Sequence, residues 1–137
     1  VASVAVNFEQ LNDAANVSAG AATLELITAA ATPADGTNII GLQGAVFASG
    51  GEVETALEAS GSFALTVDAA AANANGAFVV VYTNGTDAKV AAVHQVTETA
   101  SDTDYEAGDL NVIDLVTISG VSSIGSSTFV SGNFVFE

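Results

Sequence analysis

"GAFVVVYTNGTDAKVAAVHQV", Gly76 to Val96, sets two runs of strand-forming residues on either side of Asn84-Gly85. β-Branched and aromatic side chains favour extended chain, and Asn-Gly supplies the positive φ angles that a tight hairpin turn needs. The stretch reads as an antiparallel hairpin, and the rest of the chain can be read outward from it. Downstream, "LNVIDLVTISGV" from Leu110 is a long β run, and "SSIGSS" leads to the closing "TFVSGNFVFE". Phe134 and Phe136 share a face in that last piece, whereas Phe129 is out of step with them, so a bend at Gly132 is needed to turn all three inward.

Upstream, "SFALTV" from Ser62 reads as a strand at Phe63 to Val67, with a loop or helical turn in "DAAAANANG" beyond it. In "EVETALEAS", Val53, Ala56, Leu57 and Ser60 follow i, i+3, i+4, i+7 spacing, which predicts one short helix near residues 50–60. Ser49 is its N-cap, Glu52 stands in capping-box register, and Gly61 closes it. "TNIIGLQGAVF" reads as a strand ending near Gly44, preceded by the turn "TPADG" at the single proline, Pro33. "AATLELITAA" leans to strand on the alternation of Leu24, Leu26 and Thr28, and "NDAANVSAG" before it to a turn or short helix. The opening "VASVAVNFEQL" alternates, with Ala2, Val4, Val6 and Phe8 on one face. The expected fold is mainly β, β-sandwich-like or α+β, with antiparallel sheets and one short helix, in a single domain over residues 1–137.

Sixteen carboxylates stand against one base, Lys89, for a formal charge of −15. Such a surface repels phosphate backbones and anionic lipid, so neither nucleic acid nor a membrane surface is an expected partner. No apolar run reaches the roughly 18 residues of a spanning helix, and no membrane insertion is expected. Charged residues are only 12 % of the chain, so it is poor in bases rather than rich in acids. Copies of such a chain repel one another unless cations lie between them, and external calcium is the expected one. There is no cysteine for a disulfide or thiolate site. The start at Val1 rather than Met leads us to expect a mature product or an excised fragment.

Taken together, "TNIIGLQG", "GEVETALEA", "GAFVVVYTNGTDAKVAAV", "AGDL", "LVTISGV" and "FVSGNFVF" resemble modules near the carboxyl end of haemolysin-type (RTX) calcium-binding and S-layer-like bacterial surface proteins. The resemblance covers about residues 37–137 and lacks the glycine-aspartate nonapeptides of that group. It implies secretion, calcium dependence and a role in a surface layer or adhesion, and it carries over no individual ligand.

The densest acidic stretch, "SDTDYEAGDL" from Ser101, makes Asp102, Asp104, Glu106 and Asp109 a candidate calcium loop, since alternate carboxylates with a nearby glycine suit that ion. It is not an EF-hand, because Ala107 and Ile113 stand where the glycine and the closing glutamate belong. The other reading is a solvated strand connector. His94, the single histidine, is read as a half-exposed strand residue rather than a zinc ligand. Asp87 is read as turn chemistry. Asn16 and Asn84 fit the glycosylation acceptor pattern. Residues 1–11 are a candidate donor strand, with Val4, Val6 and Phe8 as the subunit contact, because strand addition satisfies an open sheet edge. The alternative is an ordinary edge strand of the chain's own sheet.

These readings combine into a non-enzymatic, secreted, calcium-stabilised homopolymer subunit of a bacterial filament, S-layer or matrix. A surface polysaccharide or another matrix protein would be a further partner. The alternatives are a monomeric calcium-dependent module of a larger RTX-type adhesin, and a secreted hydrolase. The hydrolase is poorly supplied: no serine has an evident histidine and aspartate partner, and the chain lacks tryptophan and arginine.

Overall fold

The computed structural model describes residues 7–8, 10–11, 20–67, 76–96 and 103–136. The fold is mainly β, and it is organised around β4 (Gly76–Thr83), of which all eight residues are buried. A strand covered on both faces cannot alternate apolar with polar residues, which accounts for the unbroken run Phe78-Val79-Val80-Val81. β5 (Ala88–Gln95) pairs antiparallel with β4 from Ala77↔His94 to Thr83↔Ala88, and β6 (Leu110–Ile118) pairs antiparallel with β5. A bulge between Val90 and Ala91 of the β5 register leaves Leu115 of β6 without an opposite residue.

The other edge of β4 is shared. β3 (Ile39–Leu42) runs parallel along Val79–Val81, and β1 (Asn7–Phe8) runs parallel along Gly76–Ala77. β2 (Leu24–Ile27) lies parallel outside β3, so the order is β2-β3-β4-β5-β6 with β1 in line with β3. The strands make one mixed sheet, where the sequence suggested antiparallel pairing throughout. The difference follows from the connections: parallel neighbours need a crossover of a dozen or so residues, and residues 43–75, containing α1 (Gly50–Leu57), join β3 to β4.

α1 and the segment after it cover one face of the sheet. Val53, Ala56 and Leu57 are buried, and Phe63, Leu65 and Val67 join them against Ile40, Leu42, Val80, Tyr82 and Val93. Ser49 Oγ accepts the Glu52 N–H at 3.4 Å, while the Glu52 carboxylate reaches one residue beyond the capping-box position, to the Ala48 N–H at 2.8 Å. The helix ends at Glu58, its C-cap in extended backbone, and the positive φ that follows is at Ser60 (68°) rather than at a glycine. Gly61 serves a different need: a Cβ there would run into the carbonyls of Ala56 and Thr55. That close approach lets the returning chain satisfy the last helical carbonyls, with Phe63 N–H donating to Ala56 O at 2.9 Å and Leu65 N–H to Leu57 O at 3.0 Å.

The closing segment covers the opposite face. Ile124 and Phe129 pack with Ile39, Val79, Val81 and Ala88. The bend expected at Gly132 is a 3₁₀ turn at Ser131–Asn133, which stacks Phe129 on Phe134 at 6.3 Å between ring centroids and carries Phe136 to Phe8 at 5.5 Å. The two ends of the described chain therefore meet on the sheet.

Local chemistry differs from expectation in two loops. The hairpin turn is a four-residue loop, Asn84–Asp87, between Thr83 and Ala88; Gly85 has φ 90°, but Asn84 does not share a positive φ. The Asn84 carboxamide oxygen instead accepts the Thr86 and Asp87 N–H groups. The expected strand Phe63–Val67 makes only isolated bridges, Leu65 to Ala31 and Thr66 to Asp104. The expected turn or helix at 12–19 and the loop at 68–75 lie outside the described residues.

Gly61→Ala is expected to lower stability by about 1–3 kcal/mol, since the added carbon must displace backbone carbonyls. A urea midpoint equal to the parent's would contradict the close approach.

Candidate functional site

The four acids of the candidate calcium loop have separate duties where they are described. Asp102 lies outside the described residues. Asp104 Oδ1 accepts the Thr66 hydroxyl at 3.0 Å, tying the loop to the segment after α1. Asp109 is buried, and its Oδ2 takes the Glu106 N–H at 2.9 Å inside a turn in which Gly108 has φ 91°. Glu106 is exposed. A carboxylate that the spacing did not single out, Glu58, is also buried and takes the Gly108 N–H at 2.8 Å. Among the described residues no group of three His, Asp or Glu side chains converges. What the geometry does bring together is Glu58 and Asp109, both holding the 106–109 turn by its amides.

The second concentration of chemistry is β6. Its register with β5 places Ile113 beside Ala92, Val116 beside Val90 and Ile118 beside Ala88, on the face covered elsewhere by the closing segment. That cover reaches Ile118 but leaves Ile113 and Val116 47 % and 52 % exposed, and the bulged Leu115 is 54 % exposed. On the opposite face Asp114, the one carboxylate of β6, accepts the buried Tyr82 hydroxyl at 2.8 Å and lies 3.9 Å from Lys89 Nζ. Lys89 Nζ also donates to Thr117 Oγ1 at 2.7 Å. The chain's single cation is thus placed over its edge strand. Burial first, and the neighbouring Asp114 carboxylate second, push the Tyr82 phenol well above its ordinary range.

The outer side of β6 is covered only at its start. The Val112 N–H is taken by the Glu54 carboxylate of α1 at 2.7 Å rather than by β5, and Gly50 lies against Val112 O. β6 is the terminal strand of the sheet, so from Ile113 to Ile118 no further strand pairs with it among the described residues. Glu54 of α1 and Glu58, its C-cap, stand four apart, and that spacing was the available sign that both point to one side, Glu54 to β6 and Glu58 to the turn before it.

The remaining candidates are placed as follows. Val4, Val6 and Asn16 lie outside the described residues. Phe8 is half-buried against Phe136 in β1, and Leu11, 2 % exposed, is part of the core and pairs with Thr37. Asn84 is exposed at the hairpin loop with its oxygen engaged in that loop. Asp87 Oδ1 accepts the Gly120 N–H at 2.9 Å, fastening the hairpin tip to the end of β6. His94 is half-buried in β5, and its Nε2 has no hydrogen-bond partner among the described residues. An open groove beside α1 is lined by Phe47, Ser49, Glu52 and Thr55, but Ser49 and Glu52 are spent on capping the helix.

Comparison with known protein families, with characterised proteins and with solved structures returns no match.

Because Tyr82 binds its proton more tightly folded than unfolded, its stabilising contribution is whole below a pH of about 10 and is lost as pH rises beyond it. Urea midpoints measured from pH 9 upward (about the unfolded phenol range) should fall more steeply for the parent than for Tyr82→Phe. Parallel profiles would contradict the buried pairing with Asp114.

Proposed function

We propose that this chain is a non-enzymatic extracellular structural subunit that self-assembles into a bacterial filament, surface layer or matrix, joined by exchange of its first strand and stabilised by calcium. The observation that carries the reading is the seat of β1. β3 occupies only the Val79–Val81 part of its β4 edge, leaving a notch at Gly76–Ala77 that β1 fills, with Phe8 on Phe136 and Leu11 in the core. A short terminal strand that completes a notch makes the same hydrogen bonds whether it comes from its own chain or from a neighbour. Repeated head to tail, such a heterologous contact propagates. The charge of −15 opposes it, and calcium between subunits lowers that repulsion.

Electron microscopy and sedimentation in calcium are expected to give long particles, and chelator to shorten or disperse them. A bis-maleimide tether between Phe8→Cys and Phe136→Cys, formed in dilute monomer, should hold the strand in its own sheet and prevent growth. A monodisperse monomer in both calcium and chelator would end the assembly reading. For the ion, calorimetric titration of Asp102→Asn/Asp104→Asn should show weaker calcium uptake than the parent, and equal uptake would remove the 102–109 loop from the account.

A further inference from the structure

We infer that the outer edge of β6 is a second self-association surface, on which two copies pair antiparallel through Ile113–Ile118 about a two-fold axis. The open stretch is about 20 Å long at strand spacing, the length of an ordinary strand, and its backbone groups want an extended partner. Proteins usually guard such an edge with lysine, proline, inward charge or a β-bulge. From Ile113 to Ile118 this edge carries Ile, Asp, Leu, Val, Thr and Ile; its guards there are the bulge at Leu115 and Asp114, whose charge is already held by Tyr82 and Lys89. The closed part of the edge is at Val112, against Glu54 and Gly50 of α1.

The net charge of −15 opposes a second copy until salt screens it, but the local charge of this strand does not. A chain with sixteen acids offers a polyanion one cation, whereas a second β6 brings a strand whose single carboxylate comes with its own lysine. The Leu115 bulge puts Asp114, opposite Ala91, and Thr117, opposite Lys89, on the same face of β6. In an antiparallel pair centred on Leu115 and Val116, Asp114 of each copy faces Thr117 of the other, the residue that Lys89 already touches at 2.7 Å. Two reciprocal Asp114 to Lys89 attractions then form on one face. On the other, Ile113 and Val116, each about half exposed, gain cover from the second copy, with the exposed Leu115 at the centre of the pair. The contact is isologous and closes on itself, so it joins subunits in pairs, whereas the β1 exchange extends them in a line. It shares with the assembly reading only the need for a second copy, and it does not use β1.

The chain has no cysteine, so a single introduced thiol reports the geometry. Full-length Leu115→Cys, oxidised mildly at raised ionic strength, should form disulfide dimers faster than Val135→Cys, which is more exposed at 78 %. Sedimentation should show association of the parent rising with salt as the net charge is screened. Leu115→Lys reduces the net charge yet should weaken that association about tenfold. Equal cross-linking of the two cysteine variants, or association that survives Leu115→Lys, overturns the β6 pairing. If association then disappears when Phe8 is tethered to Phe136, the β1 exchange stands without the β6 pairing. If association persists with the tether and is lost in Leu115→Lys, the β6 pairing stands and the strand exchange falls.

Discussion

The fold rests on one constraint: β4 has no face toward water. Each of its residues is buried, so the sheet needs cover on both sides and partners on both edges. α1 and Phe63 to Val67 supply one cover, and the 121–136 segment supplies the other. That second cover consists largely of loop and one 3₁₀ turn, so it depends on aromatic anchors, Phe129 on Phe134 and Phe136 on Phe8, rather than on a regular element. Phe129 is therefore part of the core, with Phe134 and Phe136 half-buried against it, and they bring the last described residues to β1.

The shortage of cations shapes the remaining polar structure. With one lysine available, six of the described carboxylates bind backbone amides rather than basic side chains. Glu25 takes the Ala34 N–H, Glu52 that of Ala48, Glu54 that of Val112, Glu58 that of Gly108, Asp87 that of Gly120 and Asp109 that of Glu106. Hydrogen bonds from an amide to an ionised acceptor are stronger than neutral ones, so each fixes a loop or an edge. An acid-rich loop in this chain is thus as well explained by loop closure as by an ion, and Asp109 is the clearest case.

Much of this was legible in the sequence. The hairpin, the helix with its Ser49 cap and the bend at Gly132 follow from periodicity, capping chemistry and the misaligned phenylalanines. The parallel half of the sheet was not, because Leu24–Ile27 and Ile39–Leu42 look alike whichever way their partners run, and direction is set by the connections, residues 28–38 between β2 and β3 and the α1 crossover between β3 and β4. Nor was the Asn84 loop type, since the Asn84 side chain closes the loop in place of a left-handed backbone. The acidic stretch was visible as a cluster, but its members point to different duties: Asp104 to Thr66, Asp109 to its own turn. The β6 edge was read as a β run, yet its exposure depends on how far the closing segment reaches across the sheet. Lys89 and Asp114 come together only through the register of β5 with β6.

In the proposed assembly the sheet's edges, rather than a pocket, are the working parts of the molecule. Hydrogen exchange read by mass spectrometry across a protein concentration series tests this most directly. At all concentrations the amides of Gly76–Thr83 should exchange slowest, and those of 113–118 should pass from fast exchange in dilute solution to strong protection as copies associate. Protection of 113–118 that is already strong in the monomer, or that stays unchanged while particles form, would contradict it.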